Sequence, residues 1–284
     1  MIDFPIIDTH LHLWDPGRLR YAWLDDIPLL NKPYLLDDFN AATAPLEIEQ
    51  MVFLQCEADY SQYQAEADWV TGLAAADPRI AGIVPWAPLE RGAAARDAVA
   101  KLAANPLVKG IRRIIQFEPD PWFCLQPAFV EGVNLLAEFN LHFELCLKGD
   151  DQFRNAITLA RECPDVRFIL DHIGKPFIKS RIMSPWDELM EQFAGLPNTW
   201  CKISGLVTEA DLENWALADL IPYVEHVIDC FGWDRVMYGG DWPVVLQAAT
   251  YARWVETLAK SIKTASKADT KKLFCDNARA FYRL

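Results

Sequence analysis

Eight short apolar stretches recur along the chain, at 5–12, 50–57, 80–87, 108–115, 141–147, 166–173, 199–205 and 235–241. Each is rich in Ile, Val, Leu and Phe and nearly continuous in apolar character, as strands covered on both faces are. Their starts lie 25–45 residues apart, room for a strand, a helix and two loops. The intervening segments 61–76, 91–104, 126–139, 150–162, 184–195, 211–231 and 246–260 space their apolar residues as amphipathic helices do. Several run into a stop signal, such as Asp77-Pro78 or Asn105-Pro106. The segment 14–39, rich in Trp, Tyr, Pro and Asp, reads as a long first loop over one end of the sheet, and 266–284 reads as a closing helix.

Strands alternating with helices predict parallel βαβ units in an α/β protein. Eight such units predict a (β/α)8 TIM barrel, one domain spanning 1–284. A doubly wound open sheet is the competing architecture, but no Gly-rich phosphate loop follows an early strand. Nothing along the chain reads as an internal repeat, a low-complexity tract or a dividing linker.

Composition narrows the partners. The chain has 284 residues, 52% of them apolar, so a large core is within reach. A net charge of −13 argues against nucleic acid and anionic membrane surfaces as partners. Seven cysteines without paired spacing read as reduced, buried thiols of a cytoplasmic protein. No basic segment leads a long apolar one at the N-terminus, so no signal peptide is expected, and no apolar run is long enough to span a membrane. The pattern leaves monomer and homo-oligomer equally open. The 11 tryptophans suit both a core and the walls of a pocket for a sugar or a planar ligand.

In a barrel of this kind, chemistry lies at the C-terminal ends of the strands. That rule selects His10 and His12 on strand 1, Gln55 and Glu57 on strand 2, and Lys109, Arg112 and Arg113 on strand 4. It adds His172 on strand 6, Lys202 and Ser204 on strand 7, and Asp241 on strand 8. His10 and His12, two apart, project from one face of their strand. Strand 8 neighbours strand 1 in a closed barrel, which brings Asp241 beside them. His10, His12, His172 and Asp241 then form a nitrogen/oxygen site suited to a single Zn²⁺ or another divalent first-row ion. Asp241 is placed to take a proton from water there.

The stretches Asp8-Thr9-His10-Leu11-His12, Leu170-Asp171-His172-Ile173-Gly174-Lys175-Pro176 and Gly239-Gly240-Asp241-Trp242-Pro243 together resemble the amidohydrolase superfamily. More narrowly they resemble its amidohydrolase 2 group, with L-fuconolactonase-like, L-rhamnonolactonase-like and pyrone dicarboxylate lactonases. Lys109-Gly110-Ile111-Arg112 and Lys202-Ile203-Ser204-Gly205-Leu206 also fit, and the similarity runs from about residue 5 onward. The resemblance implies a barrel that opens a lactone with water, His10, His12 and His172 contacting metal or carbonyl and Asp241 acting as base. Many superfamily members hold two metals with a histidine ending strand 5. Here that strand ends Glu144-Leu145-Cys146-Leu147, and His142 sits near its start. A binuclear site is therefore not expected. A single metal fits, and so does metal-free operation, which some relatives in this branch use.

The expected substrate is a sugar lactone. Arg112 is placed to hold one of its oxygens, with Gln55, Glu57, Lys175, Trp23, Trp86 and Ser204 as further contacts. Plainer roles are assigned elsewhere. Asp8 and Asp171 read as structural, with Asp171 facing away from its neighbour His172. Arg113 reads as a salt-bridge partner, and His142 and His226 as ordinary packing residues. Cys56 and Cys146 lie near strand ends without an activating partner. Two other functions use the same barrel: a decarboxylase or hydratase acting on a carboxylic acid, and a binding protein without catalysis.

Overall fold

The structure, a computed structural model, describes residues 2–284. Its eight strands are β1 (Ile6–Leu11), β2 (Ile48–Leu54), β3 (Ile80–Val84), β4 (Gly110–Arg112), β5 (His142–Leu145), β6 (Phe168–Leu170), β7 (Thr199–Ile203) and β8 (Val236–Tyr238). All pair in parallel, in the runs β1-β2-β3 and β4-β5-β6-β7-β8. Two contacts join the runs into a ring. Ile83 pairs with Val108, and Leu11 pairs with Trp242. At the second seam the Asp241 amide donates to the His10 carbonyl (2.8 Å) and the His12 amide to the Trp242 carbonyl (2.8 Å). The result is the expected (β/α)8 barrel.

The helices are α1 (Leu36–Thr43), α2 (Tyr63–Ala76), α3 (Arg96–Ala103), α4 (Pro127–Glu138), α5 (Asp150–Glu162) and α6 (Trp186–Ala194). They continue as α7 (Leu206–Glu209), α8 (Leu217–Phe231), α9 (Tyr251–Ser261), α10 (Lys267–Lys271) and α11 (Asn277–Tyr282). The end of α11 plugs the bottom of the barrel. Phe281 and Tyr282 pack on the inward residues Val52, Leu54, Val84, Ile169 and Met237. Burying each large apolar side chain of this kind contributes roughly 1.5–3 kcal/mol.

Several boundaries differ from the expected ones. The segment 14–39 is not loop throughout, because α1 begins at Leu36. Its start is held by the Asp38 carboxylate reaching back to the Leu35 amide (2.9 Å). With leucine at the cap, no Ser, Thr or Asp announces that start. The helix expected over 211–231 begins only at Leu217. Strands β6 and β8 end at Leu170 and Tyr238, three residues short of their apolar runs. The backbone turns left-handed just beyond, at His172 (φ 55°), Ile173 (φ 49°) and Asp241 (φ 53°), which a strand cannot follow. No helix among the described residues is long and apolar enough to cross a membrane.

Candidate active site

Asp8, buried on β1, ties the first and last strands together at the rim. One of its carboxylate oxygens accepts from the His10 amide (2.9 Å) and the Gly240 amide (2.8 Å), the other from the Tyr251 hydroxyl (2.9 Å). A side chain at position 240 would strike this knot, since a Cβ there would lie 2.4 Å from the Asp8 carboxylate. The knot holds β1 against the loop after β8, and so holds His10 and His12 against Asp241.

His12 Nε2 lies 3.5 Å from Asp241 Oδ1, and His10 Nε2 lies 3.7 Å from the same oxygen. The two imidazoles meet edge to face, with centroids 4.9 Å apart. His12 Nδ1 sits 2.9 Å from the Leu54 carbonyl, so it carries the proton and leaves Nε2 with a free lone pair. Donors arranged tetrahedrally at zinc distances of about 2.1 Å stand about 3.4 Å from one another. The spacing of His10, His12 and Asp241 therefore fits one divalent ion, and all three are buried.

His172 joins a second cluster, with His10 and Asp171. Its ring lies 4.4 Å from that of His10, and its Nδ1 is 3.0 Å from the Ser204 hydroxyl. Gly205 lets the ring in, because a Cβ there would stand 2.4 Å from His172 Nδ1. Burial, reinforced at His10 by the Lys202 charge and at His172 by its neighbour His10, pushes both imidazoles well below the usual histidine range. Both are neutral near pH 7, the form that ligates and accepts.

Asp171 departs from its expected orientation. Strand alternation would turn it away from His172, but the strand has ended at Leu170 and the left-handed turn directs both side chains inward. Its Oδ1 stands 3.4 Å from His10 Nδ1 and 3.3 Å from Lys202 Nζ, and its Oδ2 accepts from Arg112 Nη1 at 3.2 Å. Burial alone would raise this carboxyl, but the Lys202 and Arg112 cations hold it down at about 2. Beneath lies a second carboxylate, Glu144, which accepts from Lys202 Nζ, from the Tyr282 hydroxyl (2.7 Å) and pairs with His142 Nε2 (2.9 Å). A charged network thus runs up the barrel axis from α11 to His10. The residues of this network are all at strand ends or inside the barrel; only charge pairing, invisible without the register, marks Glu144 and Asp171.

Above these groups opens a cavity lined by His12, Trp23, Glu57, Arg112, Lys175 and Asp241 among others. His10 lies beneath it, fully buried. Three residues expected to touch substrate do not line it. Ser204 is spent on His172. Gln55 turns to Glu57, donating to its carboxylate (2.7 Å) and accepting from its amide (2.6 Å), a closed ring that holds Glu57 at φ 56°. Trp86 is covered by Tyr60, stacked at 4.7 Å and 16°, and by Tyr63. Arg112 does reach the cavity, but its fork is committed to His10 and Asp171 through Nη1 and to the Gln55 carbonyl through Nη2 (2.5 Å). Lys175, held at φ 50° with Nζ no closer than 3.9 Å to Glu209, is the freer cation. Arg113 pairs with Glu118 (2.5 Å) and Glu90, as a salt-bridge role requires. The seven cysteines are free thiols, six of them buried.

A family model for amidohydrolases matches residues 7–284. The chain belongs to the amidohydrolase family. This amidohydrolase is therefore an enzyme, built on the barrel its relatives share. It is 31% identical over its whole length to an uncharacterized protein of Sinorhizobium fredii. It is 28% identical to an L-fucono-1,5-lactonase of Burkholderia ambifaria, over 98% of this chain and 95% of that one. Among solved structures, an amidohydrolase of Burkholderia multivorans with bound zinc superposes at a TM-score of 0.89, with 27% identity over 99% of this chain and 100% of the other. The His10, His12 and Asp241 group of this amidohydrolase is of the kind that holds such an ion.

Proposed function

We propose that this amidohydrolase opens the ring of a sugar lactone with water, using Asp241 as the proton carrier. The observation that carries the reading is a carboxylate on the cavity floor, 3.5 Å from His12 Nε2 and held by a left-handed backbone that aims it inward. The names of the lactonase relatives supply the substrate class.

The lactone carbonyl lies over His12 and His172, with its ring hydroxyls toward Glu57 and Trp23. Asp241 takes a proton from water, which attacks the carbonyl carbon. As the tetrahedral species collapses, the C–O ring bond breaks and protonated Asp241 returns the proton to the departing ring oxygen, giving a hydroxy acid. Arg112 and Lys175 place positive charge beside the cavity where the oxyanion develops, and Lys175 is the one free to contact it. His10, His12 and Asp241 would hold a divalent ion, which would polarise the carbonyl and lower the pKa of water towards about 7. Arg112 Nη1 donates to His10 Nε2 (3.2 Å), so His10 carries its proton on Nδ1, 3.4 Å from Asp171, and keeps the lone pair on Nε2, 3.7 Å from Asp241.

A panel of aldono-1,4- and aldono-1,5-lactones, followed with a pH indicator with and without a chelator, tests this. At least one lactone should release acid far above its spontaneous rate. Carbon dioxide from a carboxylic acid, with no lactone opened, would replace this reading with decarboxylation.

A further inference from the structure

The cavity does not end at Glu57. A second, open pocket adjoins it, lined by Trp23, Glu57, Asp59, Tyr60 and Phe117 among others. Trp23, Glu57 and Phe117 belong to both. We propose that this side pocket is a subsite for a neutral pyranose ring, so that the preferred substrate is a lactone carrying a glycosyl substituent. The inference rests on the lactonase reading above and extends it.

Three features support it. First, the walls are aromatic and already fixed. Trp23 Nε1 donates to the Cys56 carbonyl at 2.8 Å. Tyr60 lies flat on Trp86, with the Arg113 guanidinium 5.0 Å from its ring. Arg113, buried, also sits 4.9 Å from Phe123 and bonds the Ile114 carbonyl (2.6 Å), so its contact with Tyr60 ties the loop after β2 to the loop after β4. Trp86 and Arg113, which have no part in the cavity chemistry, thereby act as the base of a platform. Second, large aromatic surface is left in water. Phe117 is 69% exposed and Tyr60 46%, an arrangement that costs solvation unless an apolar face covers it. The C–H face of a sugar ring does so while its hydroxyls stay hydrated. Third, the charges sort the ligand. The main cavity carries Arg112 and Lys175, whereas the side pocket carries Glu57 and Asp59 and no cation. Carboxylates accept from hydroxyls and repel anions, so the side pocket selects a neutral polyol over a phosphate or a uronate.

The test takes the aldonolactone that the protein hydrolyses best and compares it with its mono-O-glucosyl derivatives, each hydroxyl substituted in turn. One derivative should exceed the parent in kcat/KM by about tenfold or more, the range one added contact surface gives. Tyr60→Ala, outside the main cavity, should erase that gain while leaving the parent lactone within about threefold. A uronosyl derivative at the same position should show no gain. Glycosyl derivatives that are all slower than the parent, or a gain that survives Tyr60→Ala, would overturn the subsite and leave the lactonase reading standing. If no unsubstituted or substituted lactone is opened, both fail.

Discussion

Exchanging Asp171 for Asn changes little in shape and removes one negative charge from the barrel axis. The side chain is fully buried and stands 3.2 Å from Arg112 Nη1, 3.3 Å from Lys202 Nζ and 3.4 Å from His10 Nδ1. At an effective dielectric of about 20, each cation contact is worth about 5 kcal/mol before desolvation is counted. The net loss is smaller, because Glu144 remains to balance Lys202; leaving a buried charge uncompensated costs about 3–5 kcal/mol. A second loss falls on His10. Its Nδ1 proton no longer faces a charged acceptor, so the imidazole is less well fixed with Nε2 toward Asp241. Outer partners of this kind typically matter by about 10–100-fold in metal affinity or activity. Urea unfolding, a competitive zinc titration and lactone turnover read these effects separately. We expect a lower denaturation midpoint at unchanged slope, zinc binding weakened about tenfold or more, and kcat reduced to match. Midpoint and zinc affinity both at the parent value would refute the network as the support of His10.

Burial pushes the Glu66 carboxyl up to about 8 from an ordinary 4.5, against the Cys56 amide that it accepts from at 3.1 Å. The folded state therefore holds a proton that the unfolded chain has released between about pH 4.5 and 8, and stability should fall across that window as pH rises. Glu66→Gln should flatten the fall in denaturation midpoints measured from pH 5 to 9; an unchanged profile would count against it. Gly205→Ala places a methyl 2.4 Å from the His172 ring at a φ of 66°, and should cut kcat by at least about tenfold, with a loss of stability of about 1–3 kcal/mol from backbone strain; a variant with parent activity would show that His172 need not hold its position. Cys56 and Cys146 line the cavity, yet burial raises both thiols, Cys146 to about 11. Iodoacetamide at pH 7 should therefore leave activity intact over a time that consumes a free thiol standard.

Much of the barrel was legible because its strands carry their signal locally. A run such as Met51-Val52-Phe53-Leu54 is apolar on both faces whatever surrounds it, and β2 lies there. The pairing of His10 and His12 with Asp241 followed from strand spacing and the closure of β8 on β1. The sequence was least informative where periodicity breaks. The left-handed turns at His172 and Asp241 lie within apolar runs that look like uninterrupted strand, and the first of them turned Asp171 from a bystander into the hinge of a charge network. Gln55, Ser204 and Trp86 were correctly placed near the rim, but their partners were not readable. Each is claimed by a neighbour distant in sequence or set by a turn: Ser204 by His172, Trp86 by Tyr60, and Gln55 by Glu57 in its left-handed conformation. Arg112 shows the same limit, since its fork is filled by Asp171, His10 and a carbonyl before any substrate arrives.

If Asp241 moves the proton, replacing it by Asn removes the base and leaves the barrel intact. Lactone turnover, thermal unfolding and bound zinc should be measured on one preparation. The Asp241→Asn protein should show a kcat lower by about 10²–10⁴-fold, the usual contribution of a general base, and should unfold as cooperatively as the parent. Turnover within a few fold of the parent in a folded Asp241→Asn protein would contradict that role.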